Sequence, residues 1–134
     1  MKKILLAGAA LATLASPALA AAPKMPTDFI GEWCAPTRDG NTANYTLPSW
    51  TEDRKCTEIL SIDQWNFVFN LGGDKETYCD PKTVRTKRDT APSGTVYSAT
   101  VSADCYDGMI ANRHTLRTFE FFRYKGNMTI KETR

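Results

Sequence analysis

Short runs of alternating apolar and polar residues make up most of the chain beyond its first 28 positions. In the clearest run, Ser, Thr and Asp alternate with Tyr97, Ala99, Val101, Ala103 and Cys105. A period of two is typical of a β-strand with one buried face. Other runs are rich in Val, Ile, Thr and aromatic residues, and Gly, Asn, Asp and Pro separate them. We predict a single all-β domain over 29–134, preceded by a leader over 21–28.

The four cysteines can be placed on these predicted strands. Folding the chain back at Pro92 sets Cys79 directly opposite Cys105, where a cross-strand disulfide is geometrically natural. Elimination then pairs Cys34 with Cys56. A zinc site needs closely spaced ligand pairs, which this chain lacks. We therefore predict two disulfides and no metal.

Four further hairpins are predicted, with turns at 107–108, 125–127, 63–64 and 72–73. The expected cross-strand pairs are Ala99 with Leu116, Val101 with His114, Phe122 with Ile130, Tyr124 with Met128, Leu60 with Phe67, and Ile62 with Trp65. Residues 41–50 are expected to be irregular. Consecutive hairpins of about seven or eight strands can close on themselves and leave no exposed edge. The predicted fold is a small antiparallel up-and-down β-barrel, and a half-open β-sandwich is the alternative.

The first 20 residues have the features of a secretory signal peptide. A basic start at Lys2 and Lys3 precedes an apolar run over 4–14, and Ala18-Leu19-Ala20 provides a cleavage site. The apolar run is too short to span a membrane, which needs about 20 residues. We expect a periplasmic or secreted bacterial protein that is monomeric and has no membrane span.

Charge and motifs argue against several classes of function. Without Lys2 and Lys3, the 17 Lys and Arg residues fall to 15, which equals the 15 Asp and Glu residues, so no overall charge favours nucleic acid. His114 is the only histidine, and we interpret it as a half-buried strand residue. Glu32, Glu58 and Glu120 do not form a distinguishable catalytic pair. We predict no enzymatic activity and no cofactor.

Basic residues provide the first candidate binding surface: Lys82, Arg85, Lys87, Arg88, Arg113 and Arg117. The predicted registers place Lys82, Arg113 and Arg117 on one outward face, which suits an anionic group or an acidic protein patch. The structural alternative is a solvated strand protected from edge pairing by its charges. The same registers turn Arg85 and Lys87 inward. Either a bulge at 80–81 reverses that strand, or both residues line a barrel mouth that attracts an anionic ligand.

Other candidate binding residues come from a loop and from resemblances. Trp50 lies in a predicted loop, where it either stacks on a ligand or caps the barrel. The segment Gly31-Glu32-Trp33 resembles the G-x-W motif of lipocalin-type barrels, which implies that Trp33 plugs the closed end. Gly-x-Trp-Cys with three later cysteines is also similar to small exported bacterial envelope proteins. The segment from Ser93 to Tyr97 resembles a loop of periplasmic C-type lysozyme inhibitors, which implies that these two residues reach an enzyme cleft.

Two functional hypotheses follow. The leading one is a non-catalytic exported binding protein that recognises a protein or glycan of the cell envelope. Its barrel would be rigid, and it could act as an inhibitor-like module. The alternative is a lipocalin-like carrier of a small apolar or anionic ligand, which requires an open barrel interior. The seven aromatic residues expected inside the barrel favour the first hypothesis, because they are enough to fill it: Trp33, Trp65, Phe67, Phe69, Tyr97, Phe122 and Tyr124.

Overall fold

The computed structural model describes residues 23–47, 56, 58–108 and 110–133. The predicted signal peptide and Trp50 lie outside these residues. A short 3-10 helix, Thr27–Phe29, precedes eight strands. The strands are β1 (Gly31–Asp39), β2 (Thr42–Thr46), β3 (Ile59–Ile62), β4 (Phe67–Phe69), β5 (Thr77–Ala91), β6 (Gly94–Asp107), β7 (Ile110–Tyr124) and β8 (Asn127–Thr133).

All eight strands form one closed antiparallel barrel, which confirms the predicted fold class. Strands β3 to β8 follow one another as a meander. The first hairpin completes the circle with β1 beside β3 and β2 beside β8. No helix within the described residues is long and apolar enough to cross a membrane. The expectation of irregular structure over 41–50 is wrong for Thr42–Thr46, which pairs along its whole length with β8.

Both predicted disulfides are confirmed. Cys79 and Cys105 face each other across β5 and β6, with Cα atoms 4.1 Å apart and both side chains buried. Cys34 of β1 is bonded to Cys56, with Cα atoms 5.3 Å apart. The Cys34 bridge therefore ties β1 to the segment that leads into β3.

A β-bulge in β5 decides which way its basic residues point. The predicted register holds from Cys79 to Pro81, and the pairing then shifts between Pro81 and Thr83. Because a one-residue shift reverses the faces of a strand, Arg85 and Lys87 turn outward beside Thr100 and Ser98. The bulge interpretation is therefore correct, and the barrel-mouth interpretation of these two residues is wrong.

The register predicted for β6 and β7 is wrong. Ala99 lies opposite Phe121 instead of Leu116, and Val101 lies opposite Phe119 instead of His114. The shift is odd, so it exchanges the two faces of β7. The observed register buries both phenylalanine rings and leaves Leu116 69% exposed. Burying two aromatic rings removes more apolar surface from water than burying one leucine and one histidine.

Two smaller register predictions also fail. Between β7 and β8, Phe121 lies opposite Ile130 and Tyr124 opposite Asn127, so the loop is two residues long and Phe122 is exposed. Between β3 and β4, Ile62 lies opposite Phe67 across a longer turn. The Asp63 carboxylate accepts hydrogen bonds from two backbone amides of this turn, and Trp65 projects into solvent with 47% exposure.

The core fills the barrel interior with inward-facing side chains from all eight strands. Its largest fully buried members are Trp33, Tyr45, Phe29, Phe67, Phe119 and Phe121. Phe67 makes edge-to-face contacts with Phe69, Phe119 and Phe121, whose ring centroids lie 5.4–5.6 Å away. This aromatic cluster occupies the middle of the barrel, and the two ends differ from each other.

Candidate functional site

One end of the barrel is plugged. The indole of Trp33 is fully buried and donates a hydrogen bond to the Phe29 carbonyl at 3.0 Å. Arg123 lies over the indole, 5.2 Å from the ring centroid, and donates to the Asp28 carbonyl. Phe29 packs edge-to-face on Phe121. The 3-10 helix and Trp33 thus close this end, the position that the G-x-W resemblance implies for the tryptophan.

The opposite end holds a cavity of about 460 Å³. This volume lies within the range of about 300–1,000 Å³ that is usual for small-molecule sites. The cavity is lined by Arg38, Asn41, Ala43, Tyr45, Glu58, Phe69, Asn70, Lys75, Thr77, Arg117, Phe119, Ile130 and Glu132. Phe69, Phe119 and Ile130 form its apolar wall, and five charged side chains surround them.

Two ion pairs form part of this lining. Arg117 of β7 binds Glu132 of β8 through two parallel hydrogen bonds of 2.7 and 2.6 Å. These bonds raise the pKa of Arg117 above its ordinary value, and partial burial opposes the shift. Arg38 of β1 donates to Glu58 at 2.6 Å from a more exposed position. Each pair holds a carboxylate at a fixed place on the cavity wall.

Arg38 reaches the cavity because of an irregularity in β1. The pairing of β1 with β2 shifts between Cys34 and Thr37, so that Arg38 lies opposite Ala43. Ala43 is an inward, buried residue of β2. Without the shift, the alternation that buries Trp33 and Ala35 would turn Arg38 outward.

Tyr45 is the most unusual residue of the cavity. It is 1% exposed, yet its hydroxyl has no hydrogen-bond partner among the described residues. Leaving such a group unsatisfied costs about 1–3 kcal/mol. Burial raises the pKa of this phenol well above its ordinary value, and the charge of Glu58 adds to the rise while that of Arg38 opposes it. The hydroxyl therefore stays protonated at neutral pH and can donate a hydrogen bond.

Lys75 adds a positive charge at the cavity rim. Its ammonium is exposed, and no carboxylate of the described residues lies within salt-bridge distance of it. Since the other four charges of the described lining form two ion pairs, the charges of these described residues sum to one positive unit. Lys75 offers an exposed donor next to the apolar wall, and Tyr45 lines the same cavity with its hydroxyl buried. No cluster of metal-binding side chains occurs among the described residues.

The basic residues that were predicted to form one surface do not all lie on the same face of the barrel. Lys82, Arg85, Lys87 and Arg88 are all exposed on β5, and Arg88 lies 4.9 Å over the ring of Tyr97. Arg113 is exposed on β7. The outward stripe of Lys82, Arg113 and Arg117 does not form, because the corrected β7 register turns Arg117 into the barrel.

Ser93 and Tyr97, the two residues of the inhibitor-like loop, lie in different surroundings. Ser93 is exposed at the tip of the β5–β6 hairpin, and its carbonyl accepts a hydrogen bond of 2.7 Å from Tyr124. Tyr97 is half-buried on the inward face and packs against the core. Ser93 therefore lies at the hairpin surface, whereas Tyr97 contributes to packing.

His114 lies on the outer face of the barrel, not on the apolar face predicted for it. Its Nδ1 is 2.8 Å from an Asp104 carboxylate oxygen. Its ring lies 4.8 Å from that of Tyr106, which in turn stacks on Tyr78 at 5.6 Å. Tyr78 donates a hydrogen bond to Glu76, which lowers the pKa of Glu76. These contacts join β5, β6 and β7 on their outer surface.

Sequence reasoning missed most of the cavity. Tyr45, Arg38 and Glu132 were not among the predicted site residues, and Arg117 was predicted on the outer face. The segment Thr42–Thr46 contains an alternation of small or aromatic residues with polar ones that could have identified Tyr45 as inward. The position of Arg38 depends on a bulge, for which the sequence contains no comparable signal.

Comparison of the chain with protein-family models, with curated proteins and with solved structures finds no match in any of the three.

Proposed function

We propose that this protein is a non-catalytic, exported binding protein whose open barrel end holds a small organic anion. Tyr45 carries the proposal, because its side chain lines a cavity of about 460 Å³ and its buried hydroxyl has no hydrogen-bond partner among the described residues. A ligand acceptor that reaches this hydroxyl relieves the cost of its burial. The same acceptor gains more if it is charged, because hydrogen bonds to ions are stronger than those between neutral groups.

The choice of an anion rests on the charges of the lining. Within the described lining, Arg38 and Arg117 are paired with Glu58 and Glu132, so the remaining charge of these residues is that of Lys75. An anion next to Lys75 and Tyr45 balances the single excess positive charge of the described lining. A purely apolar ligand would have to cover five charged side chains, which is unfavourable. Phe69 and Phe119 favour a ligand that also has a flat or apolar part.

Export to an oxidising compartment is supported by the two disulfides and by the predicted signal peptide. A barrel that is stapled by disulfides and plugged at one end loses little freedom when a ligand enters the other end. Such preorganisation favours binding. The arrangement corresponds to the carrier hypothesis, in its anionic form, more closely than to a filled barrel that acts only through its surface.

The first test is native mass spectrometry of the protein purified from its own envelope without refolding. We expect a retained small molecule that bears a carboxylate or another anionic group. The second test uses benzoate as a probe and its neutral amide, benzamide, as the matched control ligand. Benzoate is expected to raise the unfolding temperature measured by differential scanning fluorimetry, and benzamide is expected to have little effect.

Variants connect the response to the cavity. Tyr45→Phe is expected to weaken benzoate binding about tenfold or more, because it removes a hydrogen bond to a charged group. Lys75→Gln should weaken it less, since Lys75 is exposed to solvent. Lys131→Gln, on the outer face of β8, is the control and should have no effect. Equal binding of benzamide, or benzoate binding that Tyr45→Phe leaves unchanged, would contradict the proposal.

A further inference from the structure

A second feature, separate from the cavity, lies along one side of β5. This strand has 15 residues and pairs with β6 along nearly its whole length. On its other side it pairs with β4 over Thr77, Tyr78 and Cys79 alone. Among the described residues, no strand pairs with that side over 80–91, which we call the β5 edge. No backbone hydrogen bond from the described residues reaches that side, although Pro26 and Asp28 share a small cavity with Lys87 and Arg88. The edge beyond this cavity is open to another extended chain.

The structure explains why β4 stops pairing at this point. Pro81 has no N–H to donate to a neighbouring strand, and the bulge between Pro81 and Thr83 bends β5. β4 is only three residues long and begins at Phe67, directly opposite Cys79. The barrel therefore closes through a short contact, and the rest of β5 continues beyond it.

The β5 edge is strongly basic and well exposed. Between residues 82 and 88 the chain has four cations and no carboxylate: Lys82, Arg85, Lys87 and Arg88. Residues 85–91 are exposed without exception. Asp89 lies 3.4 Å from the Lys87 ammonium and neutralises part of this charge, but both side chains remain largely in solvent. Arg85 and Lys87 extend from one face of the strand, and Arg88 extends from the other.

These observations indicate what kind of molecule can pair with the β5 edge. A second copy of this chain, paired through the same edge, would bring four cations against four cations, which is unfavourable. An acidic chain instead places its carboxylates opposite the cations on both faces. A sulfated glycan matches the charge but cannot form the alternating N–H and C=O bonds of a strand ladder. We propose that the β5 edge is the docking site for an acidic, extended segment of a partner polypeptide, which adds to the sheet as a further strand.

The probe is a synthetic peptide of about ten residues in which Glu alternates with Thr or Val, so that its carboxylates share one face and can lie beside Arg85 and Lys87. We expect it to bind the full-length mature protein in isothermal titration calorimetry, more weakly as the salt concentration rises. The same peptide with Lys in place of every Glu should not bind. Amide hydrogen exchange should slow at alternate residues between 83 and 90 when the acidic peptide is present, because only alternate amides face the edge.

Backbone methylation separates strand pairing from simple charge attraction. Only one side of an added strand faces β5, so alternate peptide amides take part in the ladder. Two peptides, methylated on the odd-numbered or on the even-numbered amides, should therefore differ: one loses binding and the other retains it. Equal binding of the two, or equal binding of a sulfated oligosaccharide at the same charge, would overturn the proposal. A concentration-dependent dimer through this edge in analytical ultracentrifugation would overturn it as well.

Protein variants provide the matching control. Arg85→Gln with Lys87→Gln should weaken peptide binding by at least about tenfold. Lys125→Gln with Lys131→Gln removes the same number of charges from other exposed positions and should leave binding unchanged. An equal loss in both double variants would show that only the overall charge matters, and the proposal would fail. The variants of the β5 edge should leave benzoate binding in the cavity unaltered.

Discussion

The two ends of the barrel are built from the same strands, yet their interiors are filled in opposite ways. At the closed end, β1 and β7 contribute Trp33 and Arg123, and each of these two side chains donates a hydrogen bond to a backbone carbonyl. At the open end, the same two strands contribute Arg38 and Arg117, which line a cavity. Along β1 and β7, the inward-facing side chains therefore change from buried apolar residues to ion-paired arginines toward the open end.

The two ends differ in whether their buried side-chain polar groups have hydrogen-bond partners. At the closed end, no buried side-chain nitrogen or oxygen of the described residues lacks a hydrogen-bond partner. The open end retains the Tyr45 hydroxyl without a partner among the described residues, which costs folding energy. Under the proposed function, this hydroxyl is the group that binds the ligand. Substitutions at the closed end should therefore have the larger effect on stability, whereas Tyr45→Phe at the open end should weaken ligand binding under the proposed function.

The largest expected effect is at the plug. Trp33→Ala should lower the free energy of unfolding by about 3–5 kcal/mol, because it empties a fully buried site and removes the hydrogen bond to Phe29. Trp65→Ala is the matched control: its side chain is 47% exposed in a turn, and we expect a loss below about 1 kcal/mol. Urea unfolding followed by circular dichroism measures both. Similar losses for the two variants would mean that Trp33 does not close the barrel.

The next effect concerns the ion pairs of the open end. Arg117→Met should lower the free energy of unfolding by about 1–3 kcal/mol, because it leaves Glu132 without its bidentate partner at a partly buried position. Arg38→Met should cost less than about 1 kcal/mol, since Arg38 is 58% exposed. Chemical denaturation of both variants provides the comparison. A larger loss for Arg38→Met than for Arg117→Met would contradict the deeper burial of Arg117.

The smallest effect is a dependence of stability on alkaline pH. The folded-state pKa of Tyr45 is raised above its unfolded value of about 10, so the folded protein keeps a proton that the unfolded chain releases. The free energy of unfolding should therefore fall as pH rises above about 10. Tyr45→Phe should make this fall shallower in urea titrations at a series of pH values.

Tyr78→Phe serves as the control for the alkaline titration. The hydrogen bond to Glu76 also raises the pKa of Tyr78, but this side chain lies on the outer surface. We expect Tyr78→Phe to change the pH dependence less than Tyr45→Phe does. The opposite order would indicate that Tyr45 is not shielded from solvent in the folded protein.

Sequence reasoning succeeded where a signal was local or was repeated along a strand. The alternation from Tyr97 to Cys105 predicted a strand with one buried face, and it also placed Cys79 opposite Cys105. It failed for β7, where two alternating sets of residues compete. Leu116 and His114 belong to one set and Phe119 and Phe121 to the other, and a short hairpin turn favoured the wrong one.

The candidate site is harder to predict from the sequence than the fold, because the face that each site residue occupies depends on strand register. Arg117 was recognised as a candidate binding residue, but its face depended on the β7 register. Tyr45 was missed because its segment is short and lies in a region that the sequence predicts to be irregular, although the partner strand β8 stabilises it along five pairs. Charged residues do not by themselves indicate which face of a strand they occupy, since either face can lie in water at the end of a barrel.

The sequence by itself determined the all-β class, the pairing of the four cysteines and the positions of most strands. These features depend on period-two alternation and on distances between opposite residues, which a single chain encodes locally. Only the tertiary structure decided which side chains meet at the open end. Bulges in β1 and β5 and the register of β7 each shift a strand by an odd number of residues, and such shifts are selected by packing across the whole barrel.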